Sequence, residues 1–204
     1  MFKAAQLGNY EQVKQYVNEK DNEIDYGLGT TKRYEMNRAL VEAASKGNLD
    51  IVKLLLKNGA DVSYEFGNAL RQAARFGHTK CVALLLDNRA DIHVSHDNPL
   101  SLASENGHTE TVRLLLRRGA NANAKTSFDP LFVAAHNGHT KIVRLLLRHG
   151  SNRLHEHNDN ALRWARLNCH SDTVQVLLDH GADAKVLQEK PFEWTLAYRT
   201  TNIV

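Results

Sequence analysis

Hydrophobic positions recur along the chain in a fixed two-part pattern. The first part is a short segment with paired small residues at its centre, such as Asn68 to Phe76 around Ala73 and Ala74, and it ends at a glycine. The second part follows at once. It carries apolar residues three and four apart, as in Ile51, Val52, Leu54, Leu55 and Leu56, or Ile142, Val143, Leu145, Leu146 and Leu147. That spacing places them on one helical face. A tripeptide such as Gly59-Ala60-Asp61 then stops the run. Each unit is therefore predicted to be a pair of helices. Gly47, Gly77, Gly107 and Gly138 fit the left-handed position after a helix, where glycine has no steric penalty. Asn48, His78, His108, His139 and His170 stand at the junction, and their side chains are expected to satisfy free N–H groups of the new first turn.

Five such units align without gaps from Ala43, Ala73, Ala103, Ala134 and Ala165, at offsets of 30, 30, 31 and 31 residues; a weaker sixth copy starts at Ala4. One helix pair alone would leave apolar faces in water on both sides. Stacking removes them, at about 25 cal/mol per Å² of apolar area. The expected fold is all-α, a solenoid of stacked helix–turn–helix units with mostly local contacts. Between Ala5 and Ala44 the offset is 39, which marks an insertion. The expected organisation is an N-terminal capping unit (1–23), an inserted loop (24–36), five repeats (37–189) and a C-terminal capping helix (190–204). Phe192, Trp194 and Leu196 of that last helix would face partly inward, and Met1 to Gln6 would be a clipped first helix.

The AAxxGH, VxLLL and GADV elements of these units resemble the ankyrin repeat over nearly the whole chain. The resemblance implies short hairpin loops between units and partner binding through the concave side. The family repeat is about 33 residues, so units of 30 or 31 imply shortened loops. The family's Thr-Pro-Leu-His opening is degraded to Asn68-Ala69-Leu70-Arg71, Asn98-Pro99-Leu100-Ser101, Asp129-Pro130-Leu131-Phe132 and Asn160-Ala161-Leu162-Arg163. None keeps the histidine, so the hydrogen bonds of that motif are not expected in their usual form. Arg89 stands where other units have glycine, and Cys169 replaces the turn glycine; both predict local strain or an altered turn. Short, degenerate units of this kind also look like those in ankyrin proteins of large DNA viruses and intracellular bacteria, which implies a host-directed role.

Composition narrows the function. The 204 residues carry 26 Lys+Arg and 23 Asp+Glu, a net +3, too balanced for a dedicated polyanion binder. Two cysteines make no disulfide framework, no run approaches the roughly 20 apolar residues of a membrane span, and the N-terminus is unlike a secretory signal. A cytoplasmic protein is expected, with a host cell as the setting that the viral and bacterial resemblance implies. The chain starts at Met1 and runs only to its expected cap, which suggests a stand-alone adaptor, inhibitor or recruiter. Gly27 to Lys32 lacks the strand, helix and spacing of a phosphate loop. The junction histidines recur once per unit, too far apart to share an ion, and the pairs His93/His96 and His155/His157 lie two units apart; no metal site is expected. Cys81 aligns with Ile51 and Ile142 and reads as core, and no residue set resembles a nucleophile with its base. Neither catalysis nor a cofactor is expected.

Two surfaces remain as candidates. The first is the concave side: loop tips with Tyr64, Glu65, Phe66, His96, Phe128, His155 and His157, and first-helix positions Arg75, Phe76, Glu105, Asn106, His136 and Asn137. Aromatic residues and arginine are typical interface anchors. The competing reading is local coverage of apolar gaps, and Phe132 and Trp164 are read as packing replacements. The second is a basic stripe on second helices, Arg113, Arg117, Arg118, Lys141, Arg144 and Arg148, which is either a polyanion patch or a solvated outer face. The expected partner is another protein, with nucleic acid as the alternative, no membrane, and a monomeric chain.

Overall fold

The computed structural model describes residues 1–18, 29–124, 129–155 and 159–188. Its helices come in consecutive pairs. A capping pair, α1 (Phe2–Gln6) and α2 (Tyr10–Asn18), is followed by α3 (Gly29–Ser45) and α4 (Leu49–Lys57), then α5 (Tyr64–Arg75) and α6 (Thr79–Asp87). Next come α7 (Val94–Glu105) with α8 (Thr109–Arg117), α9 (Pro130–His136) with α10 (Thr140–Arg148), and α11 (Asn160–Leu167) with α12 (Ser171–Asp179). First helices pack on first helices and second on second, α1–α3–α5–α7–α9–α11 and α2–α4–α6–α8–α10–α12. Short 3₁₀ turns at Arg153–His155 and Ala184–Leu187 complete the described elements, and no strand occurs among the described residues. The all-α helical stack is therefore the observed architecture.

One leucine from each helix of the five repeats is wholly buried: Leu40, Leu55, Leu70, Leu85, Leu100, Leu115, Leu131, Leu146, Leu162 and Leu177. They alternate with the paired alanines of the first helices, Ala43/Ala44, Ala73/Ala74 and Ala134/Ala135, which are equally inaccessible. Small alanines let the first helices approach more closely than the second helices do. A stack that is tighter along one row bends toward it, so the first helices line the concave side.

Each helix-to-helix junction closes through a left-handed residue. Gly47 has φ +71°, and the amide of Asn48 reaches back to Ala43 O at 2.9 Å, a Schellman-type ending. The junction side chains do not cap the following helix as expected. Among Asn48, His78, His108, His139 and His170, none accepts a bond from the first turn. They reach backward to the preceding unit instead. His78 Nε2 donates to Ser45 O at 2.9 Å, His108 to Arg75 O at 2.9 Å, His139 to Glu105 O at 3.0 Å and His170 to His136 O at 3.1 Å. Asn48 Nδ2 donates to Ala5 O at 3.1 Å. The imidazole is long enough to cross the unit boundary, where it satisfies an orphan carbonyl at a helix C-terminus.

The turns at Arg89 and Cys169 are not altered. Arg89 takes φ +66° and Cys169 φ +60°, the conformations glycine adopts in sister units, and the closing bonds persist (Ala90 N to Leu85 O at 3.0 Å, His170 N to Ala165 O at 2.9 Å). What remains of the expected disturbance is the steric cost of a left-handed non-glycine residue, about 1–2 kcal/mol each. The shortened hairpin loops have a specific form. Glu65-Phe66-Gly67 and Ser95-His96-Asp97 each run three consecutive left-handed residues, closed by Gly67 N to Ser63 O (3.1 Å) and Asp97 N to His93 O (3.2 Å). The degraded opening motif is replaced unit by unit. At Asp129 a carboxylate caps α9 by accepting from Leu131 N (2.8 Å) and Phe132 N (3.2 Å), with Pro130 at the first helical position.

The insertion departs from the reading as a loop. Residues 29–36, expected within the 24–36 loop, form the first turns of α3. No breaker follows Gly29, and Met36 is buried in line with Ala39 and Leu40. Residues 24–28 and the expected capping helix at 190–204 lie outside the described residues.

Candidate interaction surface

The concave face is built from the exposed ends of first helices, one step per unit. Ser45, Arg75, Glu105, His136 and Leu167 share one register position, and Lys46, Phe76, Asn106, Asn137 and Asn168 the next. These residues immediately precede the turn, so the Schellman ending aims them the same way in every unit. Asn137 Nδ2 donates to Glu105 O at 3.0 Å and Asn168 Nδ2 to His136 O at 2.7 Å, which ties neighbouring steps together. Phe76 is 51 % exposed and carries the Arg75 guanidinium 5.9 Å from its ring centre. Glu105 and Asn106 are exposed beside it.

His136 stands in an aromatic cluster, 5.2 Å from the Trp164 ring and 5.9 Å from Phe132. Burial lowers its pKa below the usual imidazole value, and the neighbouring His170 adds to that against a weaker opposing pull from Glu105. It is thus held neutral near physiological pH. Phe132 and Trp164 are half-buried around it, in keeping with a packing role.

At the tips the predicted residues separate. Phe66 projects from its left-handed turn at 82 % exposure, and Glu65 beside it accepts from Asn68 Nδ2 at 3.0 Å. Tyr64 is half-buried, edge-on to Tyr34 at 5.9 Å; burial first, then hydrogen bonding to Glu65 and Tyr34, pushes its phenol up to about 12. His96 is exposed over an open depression that His93, Asp97 and Asn121 also line. His155 donates to Asp159 at 3.1 Å, as His93 does to Asp97 at 3.0 Å. Phe128 and His157 lie outside the described residues.

Sequence reasoning missed three residues here. Tyr34, Arg38 and Phe2 join Tyr64, with the Arg38 guanidinium 4.7 Å from the Phe2 ring and 5.6 Å from Tyr34. The signal was the i, i+4 spacing of Tyr34 and Arg38, hidden by assigning Tyr34 to a loop. It also missed the buried acceptors Asp97 and Asp159, which take the amides of Asn121 (2.9 Å) and Asp183 (3.3 Å) and so lock one loop to the next. Their signal was a shared position two units apart.

A family model described as ankyrin repeats matches in three copies, over residues 1–96, 40–126 and 100–188. The chain belongs to the ankyrin-repeat family. No curated protein is similar enough to be matched. Ankyrin repeats are generally protein–protein interaction modules and typically non-catalytic. Among the described residues, no helix of this ankyrin stack is long and apolar enough to cross a membrane.

On the opposite, second-helix side of the ankyrin stack, the basic stripe is partly neutralised. Arg118 pairs with Asp87 at 2.8 Å and Arg113 with Glu110 at 3.4 Å. Arg117, Lys141, Arg144 and Arg148 are exposed on α8 and α10, which pack together.

Proposed function

We propose that the protein holds, sequesters or recruits another protein through its concave face and loop tips, without catalysis of its own and in the cytoplasm. The observation that carries this reading is the exposure of Phe66 and Phe76 on a backbone fixed by unit-to-unit hydrogen bonds. Large aromatic groups that contribute little to the core of a rigid stack are suited to desolvation by a partner, and a pre-ordered surface lowers the entropy cost of association. The second-helix stripe supports the alternative, polyanion binding, less well, since two of its six cations are already paired with carboxylates.

Quantitative affinity capture from the native cell separates the two. Phe66→Ala with Phe76→Ala is expected to remove the partner that the unaltered chain retains, while Arg117→Glu with Arg144→Glu leaves it bound. The reverse pattern, with retention that falls steeply as salt rises, would transfer the function to the stripe.

A further inference from the structure

Cations are unevenly distributed along the concave side. In the units of α3 and α5 the register positions that face it carry Arg38, Lys46, Arg71 and Arg75 against the acids Glu35, Glu42 and Glu65. In the units of α9 and α11 the equivalent positions hold one arginine or lysine, Arg163, the counterpart of Arg71, and it is buried; His136 and Leu167 stand in place of Arg75, and Asp129 and Asn160 in place of Arg38. At these positions the accessible cations therefore gather in the first half.

The arginines of the first half are also used differently from the two paired arginines of the outer row. Arg113 and Arg118 meet carboxylates. Arg38 and Arg75 lie against aromatic rings instead, Arg38 against both Phe2 and Tyr34. Arg71 gives one nitrogen to the Asn68 side chain at 3.3 Å, while its Nε is buried without a hydrogen-bond partner. Among the described residues none of the three forms an ion pair. A guanidinium stacked on a ring keeps its in-plane N–H groups free and loses little freedom when it binds, which suits it to paired bonds with a carboxylate.

We propose that the Arg38–Arg71–Arg75 surface, with Tyr34, Phe66 and Phe76 beside it, docks an acidic peptide segment of the partner, its carboxylates on the guanidiniums and its apolar side chains on the exposed rings. This rests on the concave-face reading above and adds the chemistry of the ligand. Nucleic acid would also meet the charge, but a net charge of only +3 is small for a polyanion binder.

Selection of short random peptides on the immobilised full-length protein tests it. The enriched pool is expected to be rich in Asp and Glu together with aliphatic or aromatic residues. A selected peptide, labelled for fluorescence anisotropy, should bind the Arg38→Glu, Arg75→Glu double variant about tenfold or more weakly, and the Arg38→Gln, Arg75→Gln variant by a smaller margin. Circular dichroism should show both variants folded, since these side chains are not core. A pool that is neutral or basic, a failure to enrich, or an acidic pool indifferent to both variants would overturn the proposal. If a neutral pool binds and is lost on Phe66→Ala with Phe76→Ala, the concave face survives as the binding surface and only the acidic ligand falls. A labelled single-stranded oligonucleotide that displaces the acidic peptide at equal concentration would also overturn it.

Discussion

At the residue scale, two classes of glycine look alike in sequence and differ in physical role. Gly77 and Gly119 both take positive φ, +72° and +97°. A Cβ on Gly77 would lie 2.5 Å from the His108 ring, whereas one on Gly119 would meet nothing within 4 Å. Gly119→Ala should therefore cost about 1 kcal/mol, the backbone penalty alone. Gly77→Ala should cost roughly 1–2 kcal/mol more, because the ring must move and abandon its bond to Arg75 O. Urea unfolding of the two variants reads the difference directly; equal losses would mean that the ring carries no weight. Arg89 occupies the Gly119-type position, which explains why a long side chain is tolerated there and not at Gly77. His136 supplies a second test. Its pKa is lowered from the ordinary 6.5, so the unfolded chain binds this proton more readily than the folded one. Its contribution is complete above the unfolded value and lost as pH falls through 6.5 toward the folded value. His136→Gln is expected to shrink the drop in stability between about pH 7.5 and 5.5, measured as the urea midpoint of each chain.

At the element scale, the helices were legible because their signal is periodic and repeated, and each apolar stripe is reinforced by the same stripe in four sister units. The inserted segment had no such reinforcement. Residues 29–36 read as a loop by subtraction from the repeat length, although Tyr34 with Arg38, and buried Met36 with Leu40, lie four residues apart and anchor those extra turns to their neighbours. The left-handed tips were equally hidden, since only one of the six residues, Gly67, announces a positive φ. The N-cap expectation failed for a different reason: a polar residue at a junction can bond in either direction, and only the neighbouring unit decides which. The helical extension has a measurable consequence. Tyr34→Ala and Tyr64→Ala, separately and together, should give a coupling energy of about 1 kcal/mol, as expected of an edge-to-face pair beyond its buried area. A coupling near zero would detach Tyr34 from the tip and return the segment to a loop.

At the scale of the whole molecule, the site resists sequence reading because no single segment contains it. Phe76 and Arg75 were identifiable as residues the core does not need, but the Phe2–Arg38–Tyr34–Tyr64 group joins three units and exists only once the register between them is fixed. The same one-dimensional construction governs stability, which is set by each unit and its two neighbours. Among the described helix pairs, the N-terminal one buries the fewest residues. In α1 the buried residues are Ala4 and Ala5 and in α2 Val13, while α5 and α6 together bury eight residues (five and three). Its link to the rest includes one cross-unit side-chain bond, Asn48 Nδ2 to Ala5 O. Asn48→Ala should cost about 1 kcal/mol, the net worth of such a bond, and the cost should be local. Amide hydrogen exchange is expected to quicken several-fold in α1 and α2 and to leave α5 through α10 unchanged, because their neighbours are untouched. A uniform loss of protection from α1 to α12 would instead mean that the chain unfolds as one block, and nearest-neighbour stacking would no longer account for its stability.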